Sequence, residues 1–310
     1  MTDMSAHAAI ARASTFLFVP ATRPERIAKA LASGAGAVIV DLEDAVAPGE
    51  KAAARAALQT AGASLDAGQR ARLLVRVNAA GTPWHTYDVA AVAACVAQGL
   101  AGAMVAKAES AAVLGAMAGA LGPRGLLVPL VESNAGLDAL DALTQAPQVV
   151  RLAFGHLDFQ VDLGMDCAPD EAELLPVRLA LVRASRRAGL AAPVDGVTTS
   201  TQDLQRLVDD TARSRRMGFG GKLCIHPAQV APVHTAFEPD AAELDGARRV
   251  LQAGAAQGGG VFRFEGHLVD APVLAAARRL LARASARGPA ARSGSGPAGY
   301  PTTVRLRPSL

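Results

Sequence analysis

Short apolar runs alternate with longer, often alanine-rich segments along most of this chain. Such runs, bounded by Gly, Pro or charged residues, are typical of parallel strands that are buried on both faces. The longer segments have the length and apolar spacing of helices. The runs predict eight strands, near Thr15–Pro20, Ala37–Asp44, Arg72–Asn78, Gly102–Lys107, Gly125–Ser133, Val149–Gly155, Ala192–Val197 and Lys222–His226.

Helices are predicted between these strands, for example over Pro24–Ala32, Pro48–Thr60 and Leu174–Gly189. Eight consecutive strand–helix units predict an α/β fold that closes into a (β/α)8 TIM barrel. A doubly wound open sheet is the alternative. It is disfavoured because the dinucleotide-like glycines, Gly34 and Gly36, precede a strand instead of joining a strand to a helix.

A different pattern follows the eighth unit. Pro239–Ala256 and Pro272–Ala284 are predicted helices, and Val261–Asp270 between them is a predicted hairpin with a Glu-Gly turn. The remaining chain is rich in Gly, Ser, Pro and Arg and has no periodicity, so we expect it to be disordered. The predicted organisation is a TIM barrel at 14–237, a C-terminal helical and hairpin module at 238–285 and a disordered tail at 286–310.

Composition narrows the class of protein. Of 310 residues, 51% are hydrophobic and 19% charged, which predicts a packed globular fold. The formal net charge of +3 is small and no basic stripe with interleaved aromatic residues is present, so no nucleic-acid partner is expected. Val89–Ala106 approaches the length of a membrane span, but Gln98 and Gly99 interrupt it. We predict a surface helix followed by a buried strand there, and no membrane partner.

The three cysteines, Cys95, Cys167 and Cys224, are far apart in the sequence and form no CxxC pair. This spacing indicates neither a zinc site nor a disulfide framework, so we predict buried free thiols. Free thiols suit a reducing cytoplasm. The N-terminal residues lack a basic region followed by an apolar core, and no secretory signal is predicted. We therefore expect a cytoplasmic protein.

Candidate chemistry lies at the ends of three predicted strands. The segments RLLVRVN, GLLVPLVES and VVRLAFGHLD deliver Arg76, Glu132 and Asp158. Barrel enzymes place their active sites at the carboxyl ends of the strands, so these groups are expected to share a pocket. Carboxylates from neighbouring strands repel each other unless a cation lies between them, and Mg²⁺ commonly takes one or two protein carboxylates. Arg76 cannot bind a metal, but it can hold a carboxylate or stabilise an oxyanion.

Structural roles compete with this interpretation. Taken singly, each of these three groups is equally compatible with a helix cap or a solvated loop residue, and only the joint pattern favours a site. Lys107 also ends a strand and could form a Schiff base, but the carboxylates favour a metal mechanism instead. His156 and His226 lie at strand ends, where a hydrogen-bonded structural role is the favoured interpretation. The run VIVDLEDA adds Asp41, Glu43 and Asp44 to the same end of the barrel.

Six segments occur in a characteristic order, within a similarity that runs from about Thr15 to Ala284: FLFVPATRPERIAKA, VIVDLEDAVAPGEKAAAR, VRVNAAGTPWH, VPLVESNAGL, LAFGHLDFQVDLG and GFGGKLCIHPAQV. They resemble the citrate lyase β-subunit-like proteins, which belong to the HpcH/HpaI aldolase superfamily of CoA-ester lyases. The resemblance implies a TIM barrel that binds Mg²⁺. It also implies retro-Claisen cleavage of a 3-hydroxyacyl-CoA, of the citramalyl-, malyl- or citryl-CoA type, into acetyl-CoA and a keto acid.

The resemblance also implies roles for particular residues. Glu132 and Asp158 would bind the metal, and Arg76, together with Glu132, would bind the substrate. Asp270, in the motif HLVDAP, matches an aspartate on a C-terminal lid that reaches the active site of a neighbouring subunit in a homotrimer or larger homo-oligomer. From sequence alone, an N-cap for the following helix is favoured for Asp270. The resemblance reverses this preference and implies that Asp270 is the catalytic acid that protonates the enolate carbon, while Arg76 stabilises charge on the keto-acid unit. Glu43 and Asp44 are candidate residues that contact the ligand side chains instead of the metal itself.

Other functions remain open at this point. The segment with Arg23, Arg26 and Lys29 lies near where the family receives CoA, without individual phosphate contacts being matched. His156 stands where many relatives have a small residue, which leaves the substrate geometry open. The alternatives to a lyase are a malyl-CoA-type thioesterase, a non-autonomous subunit of a multi-chain citrate lyase, which the C-terminal module disfavours, and a non-catalytic CoA-binding protein.

Overall fold

The computed structural model describes residues 3–258 and 260–285 of the chain, and the tail predicted at 286–310 lies outside the described residues. The chain divides into two compact units, Met1–Phe237 and Glu238–Leu310. In the first unit, eight parallel strands pair in chain order and close into a barrel, because β8 pairs with β1. The predicted TIM barrel is confirmed. Its strands are β1 Thr15–Pro20, β2 Ala37–Asp41, β3 Leu73–Val77, β4 Gly102–Val105, β5 Leu126–Val131, β6 Ala153–Phe154, β7 Val194–Asp195 and β8 Gly221–Cys224.

Helices surround the barrel, and several begin at residues that cap them. Ser110, for example, accepts a hydrogen bond from the Val113 amide, and Ser133 accepts one from the Gly136 amide. The helices are α1 Asp3–Arg12, α2 Glu25–Ala32, α3 Lys51–Ser64, α4 Ala67–Arg70, α5 His85–Ala97, α6 Ala111–Leu121, α7 Asn134–Asp138, α8 Leu140–Gln145, α9 His156–Leu163, α10 Leu175–Arg187, α11 Leu204–Met217 and α12 Val230–Phe237. Short 3-10 turns lie at Pro48–Glu50, Ala172–Leu174 and Pro227–Gln229.

The strands bury both of their faces, as their near-continuous apolar sequences predict. One core fills the barrel and includes Phe16, Ile39 and Leu74. A second core lies between the barrel and the helices and includes the next residues along the same strands, such as Leu17 and Val40. Side chains alternate between the two cores with a period of two. The same alternation continues into the polar residues that end the strands, so their side chains lie at the mouth of the barrel.

The amino-terminal helix α1 was not predicted from the sequence. Its Ile10 packs into the core inside the barrel. The fully buried Arg151 donates hydrogen bonds from Nη1 to the carbonyls of Ile10, at 3.1 Å, and Ala13, at 2.8 Å. The last carbonyls of a helix have no partner within the helix, and this buried guanidinium satisfies that of Ile10. Arg151 therefore fixes α1 across the end of the barrel opposite the predicted site.

Some predicted strands are too long. β2 ends at Asp41 rather than Asp44, because the Asp41 carboxylate accepts the amides of Glu43 and Ala45 and turns the chain out of the sheet. The strand predicted at Val149–Gly155 contains only β6, together with one isolated bridge at Val149. Apolar runs mark where a strand lies, but local side-chain hydrogen bonds decide where it ends.

The second unit contains two helices and a hairpin: α13 Ala241–Ala256, β9 Phe262–Phe264, β10 His267–Val269 and α14 Ala271–Ser285. Both turn residues, Glu265 and Gly266, have positive φ, at 49° and 82°, as a type I′ turn requires. Helices α13 and α14 approach closely because Gly254 has no side chain. A Cβ there would lie 2.7 Å from Leu274 Cδ2.

Candidate active site

A cleft of about 430 Å³ opens at the carboxyl ends of the strands, where the active site was predicted. It combines apolar walls with a group of ionisable side chains. The apolar walls include Phe18, Leu130, Phe154, Val197, Leu223 and Ile225. The ionisable residues are Asp41, Asp44, Arg76, Glu132, His156 and Asp158. The structure therefore brings together the three residues predicted at strand ends.

Arg76 is held in the cleft by its neighbour on the adjacent strand. Asp41 and Arg76 are register partners across β2 and β3. The guanidinium donates from Nε to Asp41 Oδ1 at 2.8 Å and from Nη2 to Oδ2 at 2.6 Å. Such a bidentate pair fixes both the position and the plane of the guanidinium. Asp41 is thus the residue that orients Arg76, and the sequence analysis did not assign it that role.

The remaining guanidinium nitrogen of Arg76 faces two further carboxylates. Its Nη1 lies 2.8 Å from Glu43 Oε2 and 3.4 Å from Asp44 Oδ2. Burial alone would lower the pKa of Arg76, but hydrogen bonding to Asp41 and the charges of Asp41 and Glu43 raise it above its ordinary value. The pKa of Glu43 is raised to about 7, mainly by burial and against the effect of Arg76. Arg76 is therefore permanently charged, whereas burial makes Glu43 harder to ionise than an exposed glutamate.

Glu132 follows β5 directly and is buried. Its Oε1 accepts the backbone amide of Lys107 at 2.7 Å. Gly155 leaves room for the same carboxylate, since a Cβ at that position would lie 2.4 Å from Glu132 Oε2. The pKa of Glu132 is raised to about 8, mainly by burial and further by the negative charge of Glu43, with Asp158 adding to the effect. Glu132 is held in place, and the positive charge of Arg76 offsets only part of the effect of burial on its pKa.

Asp158 lies in the first turn of α9, not at the end of a strand as its sequence segment suggested. An acidic side chain is favourable there because it faces the positive end of the helix dipole. Its side chain is 43% exposed, and its Oδ1 lies 3.8 Å from the ammonium of Lys107. The short β6 and the immediate start of α9 bring Asp158 to the same cleft as Glu132.

The donor set fits a hard divalent cation. Among the described residues, no three His, Cys, Asp or Glu side chains converge as a metal-binding cluster. Mg²⁺ does not need such a cluster, because it commonly binds through one or two carboxylates and completes its coordination with water and substrate oxygens. Burial and the neighbouring carboxylates Glu43 and Asp158 disfavour the charged form of Glu132 and raise its pKa. A cation next to Glu132 and Asp158 would supply the missing charge.

His156 lines the cleft and has a buried acidic partner behind it. Its Nε2 lies 3.4 Å from Glu171 Oε1. Glu171 also contacts Arg178 and accepts a hydrogen bond from Arg213 at 2.9 Å. Arg178 in turn donates to the fully buried Asp195 at 3.0 Å. The favoured structural role of His156 is in keeping with these contacts, which connect the wall of the cleft to α10 and α11.

Replacing Glu171 by Gln should destabilise the protein at neutral pH. Burial raises the pKa of Glu171, but His156 and Arg178 lower it more, and the net pKa lies below the ordinary 4.5. A lowered pKa in the folded state gives stability above pH 4.5 that is lost as the pH falls below it. We expect Glu171→Gln to lower the free energy of unfolding by about 3 kcal/mol at pH 7, because it removes the ion pairs of Glu171 with Arg178 and Arg213 and leaves the buried Arg178 with Asp195 as its remaining acidic partner.

Urea unfolding of wild type and variant at a series of pH values from neutrality to below 4.5 measures this effect. The difference between the two proteins should shrink in acid. The exposed neighbour Glu173 provides the matched control, because Glu173→Gln changes the same functional group outside the cluster. A constant difference at all pH values would show that ionised Glu171 does not stabilise the fold.

The remaining predictions from the sequence have mixed outcomes. His226 Nδ1 accepts the Ala228 amide at 3.2 Å, which confirms a hydrogen-bonded structural role. All three cysteines are free, but only Cys95 and Cys224 are buried, and Cys167 is half-buried. Val89–Ala106 contains most of the helix α5 followed by the whole of the buried strand β4, as predicted. None of the helices in the described residues combines the length and the apolar character needed to cross a membrane.

Asp270 lies in the second unit, directly before α14. Its Oδ1 accepts the Val273 amide at 3.2 Å, so the capping role favoured from sequence alone is confirmed. The side chain is half-buried. The structural role does not exclude a chemical one, because a capping carboxylate keeps a second oxygen and its ability to take up a proton. The catalytic role of Asp270 stays a prediction.

Lys51 is a supporting residue that the sequence analysis missed. Its buried ammonium donates to the carbonyls of Leu42, at 2.8 Å, and Glu43, at 3.0 Å, and to Asn78 Oδ1 at 2.7 Å. These bonds hold the loop after β2, which presents Glu43 and Asp44 to Arg76. The only signal in the sequence is a lysine at the start of an alanine-rich helix, within the segment VIVDLEDAVAPGEKAAAR.

Comparison with known proteins agrees with this geometry. Residues 14–227 match the HpcH/HpaI aldolase/citrate lyase family. The chain belongs to this family. Residues 177–288 also match the C–C bond lyases of the TIM-barrel fold. The suspected membership of the HpcH/HpaI superfamily is thereby confirmed, and the match extends into the second unit of the chain.

Individual members of the HpcH/HpaI family show the range of this similarity. A citrate lyase subunit beta-like protein of Deinococcus radiodurans is 39% identical over 275 residues, covering 86% of this chain and 95% of that protein. A (3S)-malyl-CoA thioesterase of Cereibacter sphaeroides is 34% identical, covering 87% and 94%. CitE from Mycobacterium tuberculosis, solved in complex with magnesium, acetoacetate and coenzyme A, superposes with a TM-score of 0.77 at 36% identity, covering 89% and 99%.

Proposed function

We propose that this chain is a Mg²⁺-dependent CoA-ester lyase that cleaves a 3-hydroxyacyl-CoA into acetyl-CoA and a keto acid. The substrate would be of the citramalyl-, malyl- or citryl-CoA type. The observation that supports this most is the convergence of Arg76, Glu132 and Asp158 on one cleft in a member of the HpcH/HpaI family. The magnesium and coenzyme A in the similar CitE structure add support.

Glu132 and Asp158 are the proposed metal ligands. Bound Mg²⁺ would act as a Lewis acid on the oxygen that becomes the ketone and would neutralise the adjacent carboxylate. The chain prepares this position with the Lys107 amide, which orients Glu132, and with Gly155, which leaves space beside it. Glu43 and Asp44 are proposed to act indirectly, through their contacts with Arg76.

Arg76 is proposed to bind the keto-acid part of the substrate. Asp41 fixes the plane of the guanidinium, and Nη1 is the nitrogen that faces away from this pair. As the carbon–carbon bond breaks, the 3-hydroxyl group loses its proton and its oxygen becomes the ketone, while the electron pair of the broken bond passes into the thioester to give an enolate. The enolate must then be protonated on carbon, so that the net change moves one proton from oxygen to carbon. We propose Asp270 as that acid, in the active site of a neighbouring subunit. An exposed aspartate has a pKa near 3.9, so burial on assembly would have to raise it for this role.

Further proposals concern CoA and assembly. Arg23, Arg26 and Lys29 lie on or just before α2 and are exposed, which leaves them available to the phosphates of CoA. Arg23 presently pairs with Glu25 at 2.7 Å, an exposed contact that is weak and easily exchanged. A homotrimer or larger homo-oligomer is the proposed assembly.

A panel of CoA thioesters tests the function. The protein is incubated with Mg²⁺ and each hydroxyacyl-CoA, and the products are identified by mass spectrometry. A lyase releases acetyl-CoA together with a keto acid. If protein that is shown to be folded and loaded with metal turns over no member of the panel, the proposed lyase function is wrong.

A thioesterase is the second candidate, because a (3S)-malyl-CoA thioesterase is 34% identical to this chain over most of its length. The same panel separates the two activities, since hydrolysis releases free CoA and leaves the carbon–carbon bond intact. A non-autonomous citrate lyase subunit is a further alternative. It would show no activity alone and would regain it with an acyl-carrier partner.

Removal of divalent cations should abolish turnover. The Lys107 ammonium near Asp158 cannot take the place of a Lewis acid that polarises the oxygen that becomes the ketone. Chelation followed by gel filtration should lower the rate by at least about 1,000-fold, and added Mg²⁺ or Mn²⁺ should restore it. Full turnover by protein verified as metal-free would contradict the metal mechanism. Glu132→Gln keeps the shape of the side chain but removes its charge, so added Mg²⁺ or Mn²⁺ should not restore turnover in this variant.

A further inference from the structure

Lys107 has a backbone conformation that lysine rarely adopts. It follows β4, and its φ is 43°, in the left-handed region that favours glycine. This conformation directs the Lys107 amide at Glu132 Oε1, 2.7 Å away. A glycine would donate the same hydrogen bond without strain. A lysine at this position therefore indicates that its side chain has a use, because strained residues persist where the surroundings or the function require them.

The Lys107 side chain ends among the carboxylates of the cleft. Its ammonium lies 3.8 Å from Asp158 Oδ1, and its charge also lowers the pKa of Glu43. Arg76, the other cation here, is already paired with Asp41. Lys107 thus contacts both proposed metal ligands, Glu132 through its amide and Asp158 through its ammonium. The ammonium is the mobile partner, since 48% of the side chain is exposed and nothing encloses it as Asp41 encloses Arg76.

We propose that the Lys107 ammonium is a counter-ion that belongs to this site and competes with the divalent cation for it. The inference rests on the proposed metal site at Glu132 and Asp158. Without the cation, the ammonium partly neutralises Asp158. A divalent cation between the same carboxylates repels the ammonium, which swings toward solvent on its flexible stem. In the absence of substrate, cation binding must break the ion pair between Lys107 and Asp158. The affinity for the cation is therefore lower than it would be without Lys107, by the free energy of that ion pair.

This competition also has a consequence for substrate binding. An ammonium displaced from Asp158 stays attached at the mouth of the cleft, close to a cation that carries open coordination positions. A substrate carboxylate that reaches the cation then meets a second positive charge nearby. The substrate therefore offsets the repulsion between Lys107 and the cation, so cation and anionic substrate strengthen each other's binding. By linkage this coupling is reciprocal.

Manganese titration of the substrate-free protein tests the proposal, with free Mn²⁺ measured by electron paramagnetic resonance. Lys107→Asn removes the charge with a residue that tolerates positive φ. Lys107→Gly removes it without strain and keeps the amide donor to Glu132. Both variants should bind Mn²⁺ about fivefold more tightly than wild type, the order expected for loss of one half-exposed charge contact. Lys107→Arg, which keeps the charge, should bind like wild type.

A control separates the local effect from a change in net charge. Arg124 is exposed and lies just before β5, at the opposite end of the barrel. Arg124→Gln removes one positive charge there and should leave the Mn²⁺ affinity unchanged. Equal tightening in Arg124→Gln would overturn the proposal, and so would unchanged or weaker binding in both neutral Lys107 variants.

The same titration distinguishes failure of this inference from failure of the proposed function. If wild type binds Mn²⁺ and Glu132→Gln does not, the metal site stands and the Lys107 variants alone decide the inference. If wild type does not bind Mn²⁺, or Glu132→Gln binds it equally well, the metal site is wrong and the inference falls with it. Added keto acid should tighten Mn²⁺ binding more in wild type than in Lys107→Gly, and equal tightening would contradict the coupling.

Discussion

Arg76→Lys should lower turnover by about 100-fold or more, although it preserves the positive charge. The reason is geometric, since the guanidinium uses Nε and Nη2 to bind both oxygens of Asp41 and still presents Nη1 to the cleft. A lysine ammonium is a single point and cannot hold Asp41 in a planar fork while it also reaches a substrate carboxylate. Steady-state kinetics on the best substrate of the CoA-thioester panel measures the loss.

Two controls make the result specific. Arg187→Lys applies the same substitution to an exposed ion pair with Asp141, and it should leave the kinetics unchanged. Mn²⁺ affinity and melting temperature of Arg76→Lys should stay close to wild type, because Asp41 keeps a positive partner. Near wild-type kcat/KM in Arg76→Lys would show that Arg76 only stabilises the mouth of the barrel.

The fold was predictable from the sequence because burial on both faces leaves a strong signal. Each strand of a parallel barrel is a short apolar run, and each run found from the sequence contains a strand of the structure. The helix α1 escaped prediction for the opposite reason. Its partners are the buried Arg151 and the interior of the barrel, and neither is near it in the sequence. Its own alanine-rich sequence carries little pattern.

The candidate site was predictable as a group of residues but not as a set of contacts. The period of two along a strand brings Arg76 and Glu132 to the mouth of the barrel, and this follows from the sequence. The pairing of Arg76 with Asp41 depends on the register between β2 and β3, which the sequence does not contain. Asp158 belongs to a helix instead of a strand, because β6 stops after two residues.

Asp270 shows why residue type alone leaves function open. Its carboxylate accepts the Val273 amide and caps α14, which is sufficient reason for an aspartate at that position. Asparagine offers the same acceptor oxygen but cannot exchange a proton as a carboxylate does. Asp270→Asn therefore separates the two roles. It should keep the melting temperature within about 1 °C of wild type, since the cap is retained, and lose turnover if the carboxylate is the acid.

Mixed oligomers of two inactive variants should recover activity. Arg76→Ala lacks the substrate-binding guanidinium, and Asp270→Asn lacks the proposed acid. If each active site takes Arg76 from one chain and Asp270 from the next around a ring, random equal mixing leaves roughly a quarter of the sites with both groups intact. The variants should be unfolded and refolded together, and the specific activity compared with that of each variant alone.

The outcome depends on where Asp270 acts. If each site were built within one chain, every subunit in the mixture would carry one defect and no activity would return. Native mass spectrometry of the refolded mixture provides the control, because it shows whether both variants share one oligomer. Absence of recovery in verified mixed oligomers would place Asp270 in the site of its own chain or leave it only as the cap of α14. Recovery near a quarter of the wild-type activity requires a shared site, because no arrangement within one chain produces an intact pair from these two variants.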